Sequence, residues 1–179
     1  MTNINTQQNE LVIDIDVNKQ QLALLNGDIV VSTYEISTAK NGVGQQNGSE
    51  CTPLGWHSIR AKIGAQAKEN TVFVARRNTG EIFTEALRQQ QPDRDWILTR
   101  ILWLSGLEQG KNRGGEVDTM RRYIYIHGCP DGDSFATPSS HGCVKMRNKD
   151  IIQLFDRVDA GTRVLIHEAN SRSVKQENQ

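Results

Sequence analysis

The first third of the chain alternates apolar and polar residues in the way that strands do. Residues 11–17 place four aliphatic side chains on one face and two aspartates on the other. Residues 20–25 continue as a second short strand, and Asn26-Gly27 is the favoured dipeptide of a two-residue type I′ turn. Residues 28–36 then return as a third strand. The pattern predicts an antiparallel meander at the start of the chain.

Further strands are predicted at residues 71–75, 96–107 and 163–168. Residues 96–107 keep helical spacing at three aliphatic positions, but the run is apolar on nearly every side. Its length and its content of Trp and Ile favour a buried strand. Residues 81–91 have mixed helical propensity, and Pro92 ends that segment.

One helix is predicted with an amphipathic pattern, after the last cysteine of the chain. Asn148 is a good capping residue, and apolar residues then recur at helical spacing up to Val158. Gly161 is well placed to stop this helix. Many strands with one main helix indicate a mainly β domain, built as a barrel or a sandwich of mixed pairing.

Composition narrows the function classes. The 179 residues suit one domain, here residues 11–168 between flexible termini at 1–10 and 169–179. Lys and Arg balance Asp and Glu, 21 against 21, so we expect no nucleic-acid partner. No apolar run reaches membrane-spanning length, and the first ten residues lack the features of a signal peptide. With an odd number of cysteines, three, these features predict a cytoplasmic protein with no membrane partner. The oligomeric state stays open.

The segment 123–147 carries the candidate chemistry. A strand pattern places His127 at the strand exit, on the face of the two tyrosines at 123 and 125. A polar loop rich in Gly, Pro, Asp and Ser follows and ends in Ser-His-Gly-Cys at 140–143. Cys143 follows His127 at a short spacing along the chain, which lets the loop fold back and bring imidazole to thiol. We predict a cysteine nucleophile with His127 as its general base.

The turn around the cysteine suits stabilisation of negative charge. Attack on an amide carbon builds charge on oxygen, which needs preorganised donors. The backbone N–H groups of His141, Gly142 and Cys143 are expected to supply them, and glycine at 142 permits a close backbone approach. His141 is expected to shape the turn, and Ser140 to hydrogen-bond within the loop.

Together these motifs resemble the signature of L,D-transpeptidase catalytic domains of the YkuD type. The resemblance rests on His-Gly at 127–128, the loop, and Ser-His-Gly-Cys-Val-Lys-Met at 140–146. Thr-Pro-Leu-Gly at 52–55 also matches a turn found upstream in that family. The arginine that commonly follows the cysteine and an aliphatic residue is here Lys145, which keeps the charge but lacks the bidentate fork. The segment 80–115 is longer and more polar than a minimal domain needs, and its role stays open.

The resemblance implies a β-sandwich with the helix beside the catalytic loop. It also implies a cysteine enzyme that acts on peptidoglycan stem peptides through a thioester, without metal or organic cofactor. The target bond would join the L-centre of meso-diaminopimelate to a terminal D-alanine, with His127 oriented by a backbone carbonyl. Substrate-binding candidates are Lys145, Ser140, Tyr125 and Gly128.

The acceptor of the acyl group separates two activities. An amine gives transpeptidation, whereas water gives carboxypeptidase action. A cytoplasmic enzyme would meet soluble muropeptides returned for recycling rather than the polymeric wall. We therefore expect an L,D-carboxypeptidase that trims D-Ala from tetrapeptides, with L,D-transpeptidation as the alternative.

Alternatives without catalysis also fit parts of the pattern. His-Gly-Cys occurs at 127–129 and again at 141–143, and two imidazoles with two thiolates are a possible zinc set. Structural zinc sites usually space their ligands more widely, which disfavours this interpretation. A muropeptide-binding sensor is the other alternative without catalysis. A reversible Cys129–Cys143 disulfide that switches the activity of an enzyme is a further alternative.

Overall fold

The computed structural model describes residues 10–168, so the predicted flexible termini lie outside the described residues except for Glu10. The described chain forms ten strands, two α-helices and a 3-10 turn at Gly115–Val117. The strands are β1 (Leu11–Asp16), β2 (Gln21–Asn26), β3 (Ile29–Ser37), β4 (Gly55–Ile63), β5 (Thr71–Val74), β6 (Arg77–Ile82), β7 (Ile97–Gly106), β8 (Tyr125–Gly128), β9 (Val144–Met146) and β10 (Arg163–His167). The helices are α1 (Glu85–Gln90) and α2 (Asn148–Arg157). Neither helix is long and apolar enough to cross a membrane.

Eight of these strands form a closed ring. The order is β4-β10-β1-β2-β3-β9-β8-β7, and pairing of β4 with β7 completes the circle. The β5–β6 hairpin is attached to the β7 edge that β4 also uses, because β7 is long enough to pair with β5 at its start and with β4 beyond it. β1–β10 and β8–β9 are parallel, and the other pairs are antiparallel. The expected mainly β fold with mixed strands and one main helix is confirmed, but the sheet closes on itself instead of forming a plain sandwich.

A large cluster of buried aliphatic side chains forms the main core. It draws on the three strands of the N-terminal meander, on β8, β9 and β10, and on one face of α2. Burying a single such side chain contributes roughly 1.5–3 kcal/mol. α2 packs against β7 and β8 through this face, with Ile151, Leu154 and Phe155 buried. The helix therefore supports the strand pair that carries the candidate site.

The predicted strands at residues 11–17, 20–25, 28–36, 71–75, 96–107 and 163–168 are all confirmed, with small shifts of their ends. The first turn differs in its residues. Asn26 pairs with Ile29, so the two loop residues are Gly27 and Asp28 instead of Asn26 and Gly27. The register of this hairpin also shifts by one residue at a bulge between Leu24 and Leu25.

The helix predictions need three corrections. α1 is shorter than the predicted segment 81–91, because the start of that segment belongs to β6 and Thr84 caps the helix through its hydroxyl. α2 begins with Asn148 as its first helical residue, with Arg147 in the cap position. The helix ends at Arg157, before Gly161 is reached, and Gly161 instead takes a positive φ of 95° in the turn before β10.

A buried histidine in β4 gives the fold a predictable response to acid. His57 is fully buried, Nδ1 donates to the Gly55 carbonyl at 2.9 Å, and Nε2 accepts from Thr119 Oγ1 at 3.1 Å. Burial lowers its pKa from 6.5 to about 4. Because the unfolded chain takes up a proton first, the stability conferred by neutral His57 is present above pH 6.5 and declines as the pH falls toward 4.

We expect about 2 kcal/mol of unfolding free energy to be lost through this group between pH 7 and pH 5. Urea unfolding of the wild type and of His57→Asn at the two pH values measures this loss. The other titrating groups act in both proteins, so the difference between their pH dependences isolates His57. Equal losses in the two proteins would contradict the prediction.

Candidate active site

The parallel strands β8 and β9 carry the main residues of the candidate site. His127 lies opposite Lys145 in the register, and the neighbouring pair Ile126 and Val144 is fully buried in the core. Side chains two residues apart on a strand share a face. Cys143 immediately precedes β9 and so falls on the same face as Lys145 and His127.

This face opens into a pocket of about 450 Å³. The pocket lining includes six of the eight residues predicted from the sequence: Tyr125, His127, Ser140, His141, Cys143 and Lys145. Gly128 and Gly142 are not among the lining residues. The structure therefore brings the predicted nucleophile and the predicted base to one cavity, which has a size typical of small-ligand sites.

The buried imidazole of His127 is held in one orientation. It is 1 % exposed, and its Nδ1 lies 2.8 Å from the Gly128 carbonyl oxygen. A carbonyl only accepts hydrogen bonds, so Nδ1 carries the proton and Nε2 keeps its lone pair. Burial lowers the pKa of His127 below its ordinary value. The residue is therefore neutral at neutral pH, in the form that a general base needs.

The Cys143 thiol also has defined partners. The Tyr125 backbone N–H donates to Sγ at 3.4 Å, and the thiol lies 3.5 Å from the Tyr123 carbonyl, to which it can donate. Burial raises the pKa of Cys143 to about 12, although the residue keeps partial exposure to the pocket. The raised pKa of the thiol and the lowered pKa of the imidazole leave both groups neutral at neutral pH. The thiol proton therefore has to be transferred to a base for the sulfur to attack as a thiolate.

Side-chain hydroxyls fix the turn that carries the cysteine. Ser140 Oγ donates to the Cys143 carbonyl at 2.5 Å and accepts the Gly142 N–H at 3.2 Å. Thr52 Oγ1 donates to the Gly142 carbonyl at 3.1 Å, which links the upstream Thr-Pro-Leu-Gly turn to this one. Gly142 has a φ of 125°, and a Cβ there would lie 3.0 Å from Ile124 Cδ1. The backbone conformation requires glycine at 142, and a Cβ there would also be crowded.

Of the three backbone N–H groups expected to bind an oxyanion, at residues 141–143, one has to be removed from the set. The Gly142 N–H is already bound by Ser140 Oγ, so it is not available to an oxyanion. The N–H groups of His141 and Cys143 have no hydrogen-bond partner within residues 10–168. They are the two donors of this turn that remain for a developing negative charge. The exposed His141 side chain has no hydrogen-bond partner in the same range either.

Lys145 forms an ion pair with the loop it faces. Its Nζ lies 3.7 Å from Asp133, and the same carboxylate binds Arg88 of α1 at 2.8 Å. The Lys145 and Asp133 side chains are only 12 % and 13 % exposed. Of the two roles implied by the resemblance, this arrangement favours anchoring of the loop over recognition of a substrate carboxylate.

Gly128 contacts the predicted base, His127, and does not line the pocket. A Cβ at this position would lie 2.7 Å from both Asn148 Oδ1 and the Leu98 carbonyl, so only glycine fits. Its own carbonyl orients His127. The assignment of Gly128 as a substrate-binding residue is therefore corrected to one of positioning the imidazole.

Asn148 links the segments beneath the pocket through hydrogen bonds, a role that the sequence did not reveal. Its side chain is fully buried, and Nδ2 donates to the Cys129 carbonyl at 3.0 Å, while Thr99 Oγ1 donates to its Oδ1. Asp131 accepts from the backbone N–H of Asn148 at 3.2 Å and so provides the cap of α2. The predicted capping role of Asn148 is thus filled by the Asp131 carboxylate from the loop.

The structure does not assemble the zinc set. Cys129 is fully buried, and its thiol lies 3.6 Å from the Met146 carbonyl, away from the Cys143 partners. Burial raises the pKa of Cys129 to about 12. Within residues 10–168, no group of three or more His, Cys, Asp or Glu side chains is placed to hold a metal ion. The three cysteines, Cys51, Cys129 and Cys143, are all free thiols. The Cys129–Cys143 disulfide is therefore not formed in this structure.

Three charged residues of the pocket were not identified from the sequence, namely Arg76, Asp95 and Arg122. Arg122 donates to the carbonyls of Gly44, Gln45 and Cys51 at 2.6–3.0 Å and so fixes the loop before β4. All three reach the pocket from segments outside the motif that carries the cysteine. No local motif marks such residues.

Comparison with known proteins bears on this arrangement. The sequence profile of the L,D-transpeptidase catalytic domain (YkuD) matches residues 10–166. The chain belongs to this family. The putative L,D-transpeptidase YqjB of Bacillus subtilis (strain 168) is 38% identical over 52 residues, which cover 29% of this chain and 30% of that protein.

Solved structures share the fold at low sequence identity. The Bd1075 protein of Bdellovibrio bacteriovorus matches with a TM-score of 0.56 and 16% identity, over 92% of this chain and 50% of that one. L,D-transpeptidase 3 of Mycobacterium tuberculosis, in complex with a faropenem-derived adduct, matches with a TM-score of 0.54 and 14% identity. The match covers 88% of this chain and 60% of that one. An L,D-transpeptidase of Mycobacterium smegmatis matches with a TM-score of 0.52 and 14% identity, over 88% of this chain and 58% of that one. The chain thus spans half to three fifths of the length of these proteins.

Proposed function

We propose that this protein is an L,D-carboxypeptidase that removes terminal D-Ala from muropeptide tetrapeptides through a thioester on Cys143. The observation that carries the proposal is the neutral pair of Cys143 and the carbonyl-oriented His127 in one pocket. Membership of the L,D-transpeptidase family supports peptidoglycan stem peptides as the substrate class.

The geometry supports the following sequence of steps. Cys143 Sγ attacks the scissile carbonyl carbon as its proton passes to His127 Nε2. The free N–H groups of His141 and Cys143 bind the oxyanion. The carbon–nitrogen bond breaks, His127 returns the proton to the leaving amine of D-Ala, and the thioester remains. Water then attacks with His127 as base, which releases the tripeptide and restores the thiol.

The shape of the site supports water as the acceptor. A second cavity of about 200 Å³ adjoins the main pocket and shares Asp95, His141 and Lys145 with it. Its other lining side chains include Arg88, Arg94 and Asp133, so it is strongly polar. The volume lies below the usual range for an organic ligand, roughly 300–1,000 Å³. It is large enough for water or a released amino acid.

The state of the cysteines supports a cytoplasmic location for this reaction. Cys51, Cys129 and Cys143 are all free thiols, as is usual in a reducing compartment. Soluble muropeptides returned for recycling are the substrates that an enzyme in the cytoplasm would meet. Fractionation of cells that make the full-length protein tests the location, and recovery outside the cytoplasm would count against recycling.

Product analysis tests the reaction itself. Incubation with a disaccharide tetrapeptide should yield tripeptide and free D-Ala in equal amounts, with little cross-linked dimer, as measured by mass spectrometry. Addition of an excess of a D-amino acid provides the competing acceptor. Dominant dimers or exchange products would identify the protein as an L,D-transpeptidase, the alternative that the family supports.

A further inference from the structure

The hairpin between β5 and β6 carries an arginine into the pocket beside Cys143. Val74 pairs with Arg77, so the loop consists of Ala75 and Arg76, and both loop residues line the pocket. Their φ angles are 46° and 66°, as a type I′ turn requires. Such turns strongly prefer Asn and Gly, because other side chains are crowded in this conformation. The chain nevertheless keeps a long charged side chain at this tip.

The Arg76 guanidinium is held in place without being neutralised. Nη1 donates to the Tyr125 hydroxyl at 2.9 Å, and the group lies 4.4 Å from the Trp103 ring centre and 5.0 Å from that of Tyr123. A guanidinium has five N–H donors, and this hydrogen bond uses one of them. Within residues 10–168, no carboxylate binds Arg76. An oriented cation with unused donors therefore faces the pocket.

The other cations of the pocket are already occupied. Lys145 shares the Asp133 carboxylate with Arg88, and the guanidinium of Arg122 is bound by backbone carbonyls, including that of Cys51 at 2.6 Å. Burial also lowers the pKa of Arg122. Arg76 is thus the cation of the described pocket lining best able to receive a new anion.

We propose that Arg76 binds a carboxylate of the stem peptide while Cys143 attacks the scissile carbonyl carbon of the same peptide. Arg76 thereby determines which peptides are accepted. The planar fork of arginine matches a carboxylate in a bidentate manner. Two such groups flank the scissile bond of a tetrapeptide substrate, namely the C-terminal carboxylate of D-Ala and the side-chain carboxylate of the diamino acid. The inference rests on the proposed function for the identity of the peptide, and it adds the residue that recognises it.

A binding measurement separates this proposal from catalysis. Titration calorimetry with a disaccharide tetrapeptide uses the Cys143→Ala protein, in which the peptide cannot be turned over. Adding Arg76→Gln should weaken binding by about tenfold or more, as expected for loss of a charge-assisted bidentate contact. Arg76→Lys should recover part of the affinity. Arg77→Gln, at an exposed neighbouring position outside the pocket lining, is the matched control and should bind as the parent does.

Two modified peptides identify the carboxylate. One carries a C-terminal D-alaninamide, and the other an amide in place of the side-chain carboxylate. For the peptide that lacks the bound group, Arg76→Gln should cause no further loss, while it still weakens binding of the other peptide. Equal loss with all three peptides, or no loss with any, would overturn the proposal for Arg76. Absence of binding to the Cys143→Ala parent would instead overturn the proposed function, and the Arg76 proposal with it.

Discussion

Replacing Cys143 by alanine should reduce turnover of a tetrapeptide to background. No other group in the described pocket lining can form the thioester in its place, because this thiol is the one that lines the cavity with His127. The same change should abolish covalent labelling by a carbapenem, which tests the nucleophile independently of turnover. Mass spectrometry of the intact protein measures labelling, and release of D-Ala measures turnover.

Cys129→Ala is the matched control for this experiment. Cys129 is fully buried and does not line the pocket, so its replacement should leave turnover and labelling largely intact. Some stability is expected to be lost, because a small cavity forms in the core. Equal loss of activity in both variants would argue against Cys143 as nucleophile and would revive a site that needs both sulfurs.

Replacing His127 by glutamine should lower kcat/KM by about 10³-fold or more. Glutamine retains a donor for the Gly128 carbonyl but cannot take the thiol proton, and general base catalysis contributes about 10²–10⁴-fold. Because burial raises the pKa of Cys143 to about 12, very little thiolate forms without a base at neutral pH. Steady-state kinetics with the tetrapeptide measure the loss.

The acid limb of the pH profile reports on the same residue. Burial lowers the pKa of His127, and the neutral imidazole is the active form. Activity should therefore persist as the pH falls through 6.5 and decline only at lower pH. His141→Gln should cost much less activity than His127→Gln, because the His141 side chain is exposed and unheld. A larger loss for His141→Gln would reverse the assignment of the base.

The candidate pair could be identified from sequence because its signal is local. The short spacing of the pair, the glycine-flanked cysteine and the strand pattern before His127 all lie within the segment 123–147. The parallel pairing that puts the two side chains on one face was not predicted. Val144–Met146 is a strand of only 3 residues, and its sequence reads as part of the motif rather than as a strand.

Other parts of the site depend on contacts that no local pattern encodes. Asn148 lies just before an amphipathic run, and such a residue can either cap a helix or be buried as a hub of hydrogen bonds. Its burial beside Thr99 and Cys129 decides the matter, and both partners come from other elements. Arg76 enters the pocket on a separate hairpin, in a turn whose residues do not have the composition typical of its type.

The strand that follows the nucleophile, β9, connects the N-terminal meander to β8 in the ring. β9 pairs with β3 on one side and with β8 on the other, and Met146 lies opposite Ile36, which belongs to the N-terminal meander. Contacts of such long sequence separation form slowly during folding, because a long loop must close before they contribute. The β3–β9 contact also needs nearly the whole chain, so a ribosome-bound chain that has not yet emerged to residue 146 has no complete pocket. The pocket around the reactive thiol is therefore complete only when β9 has paired with both β3 and β8.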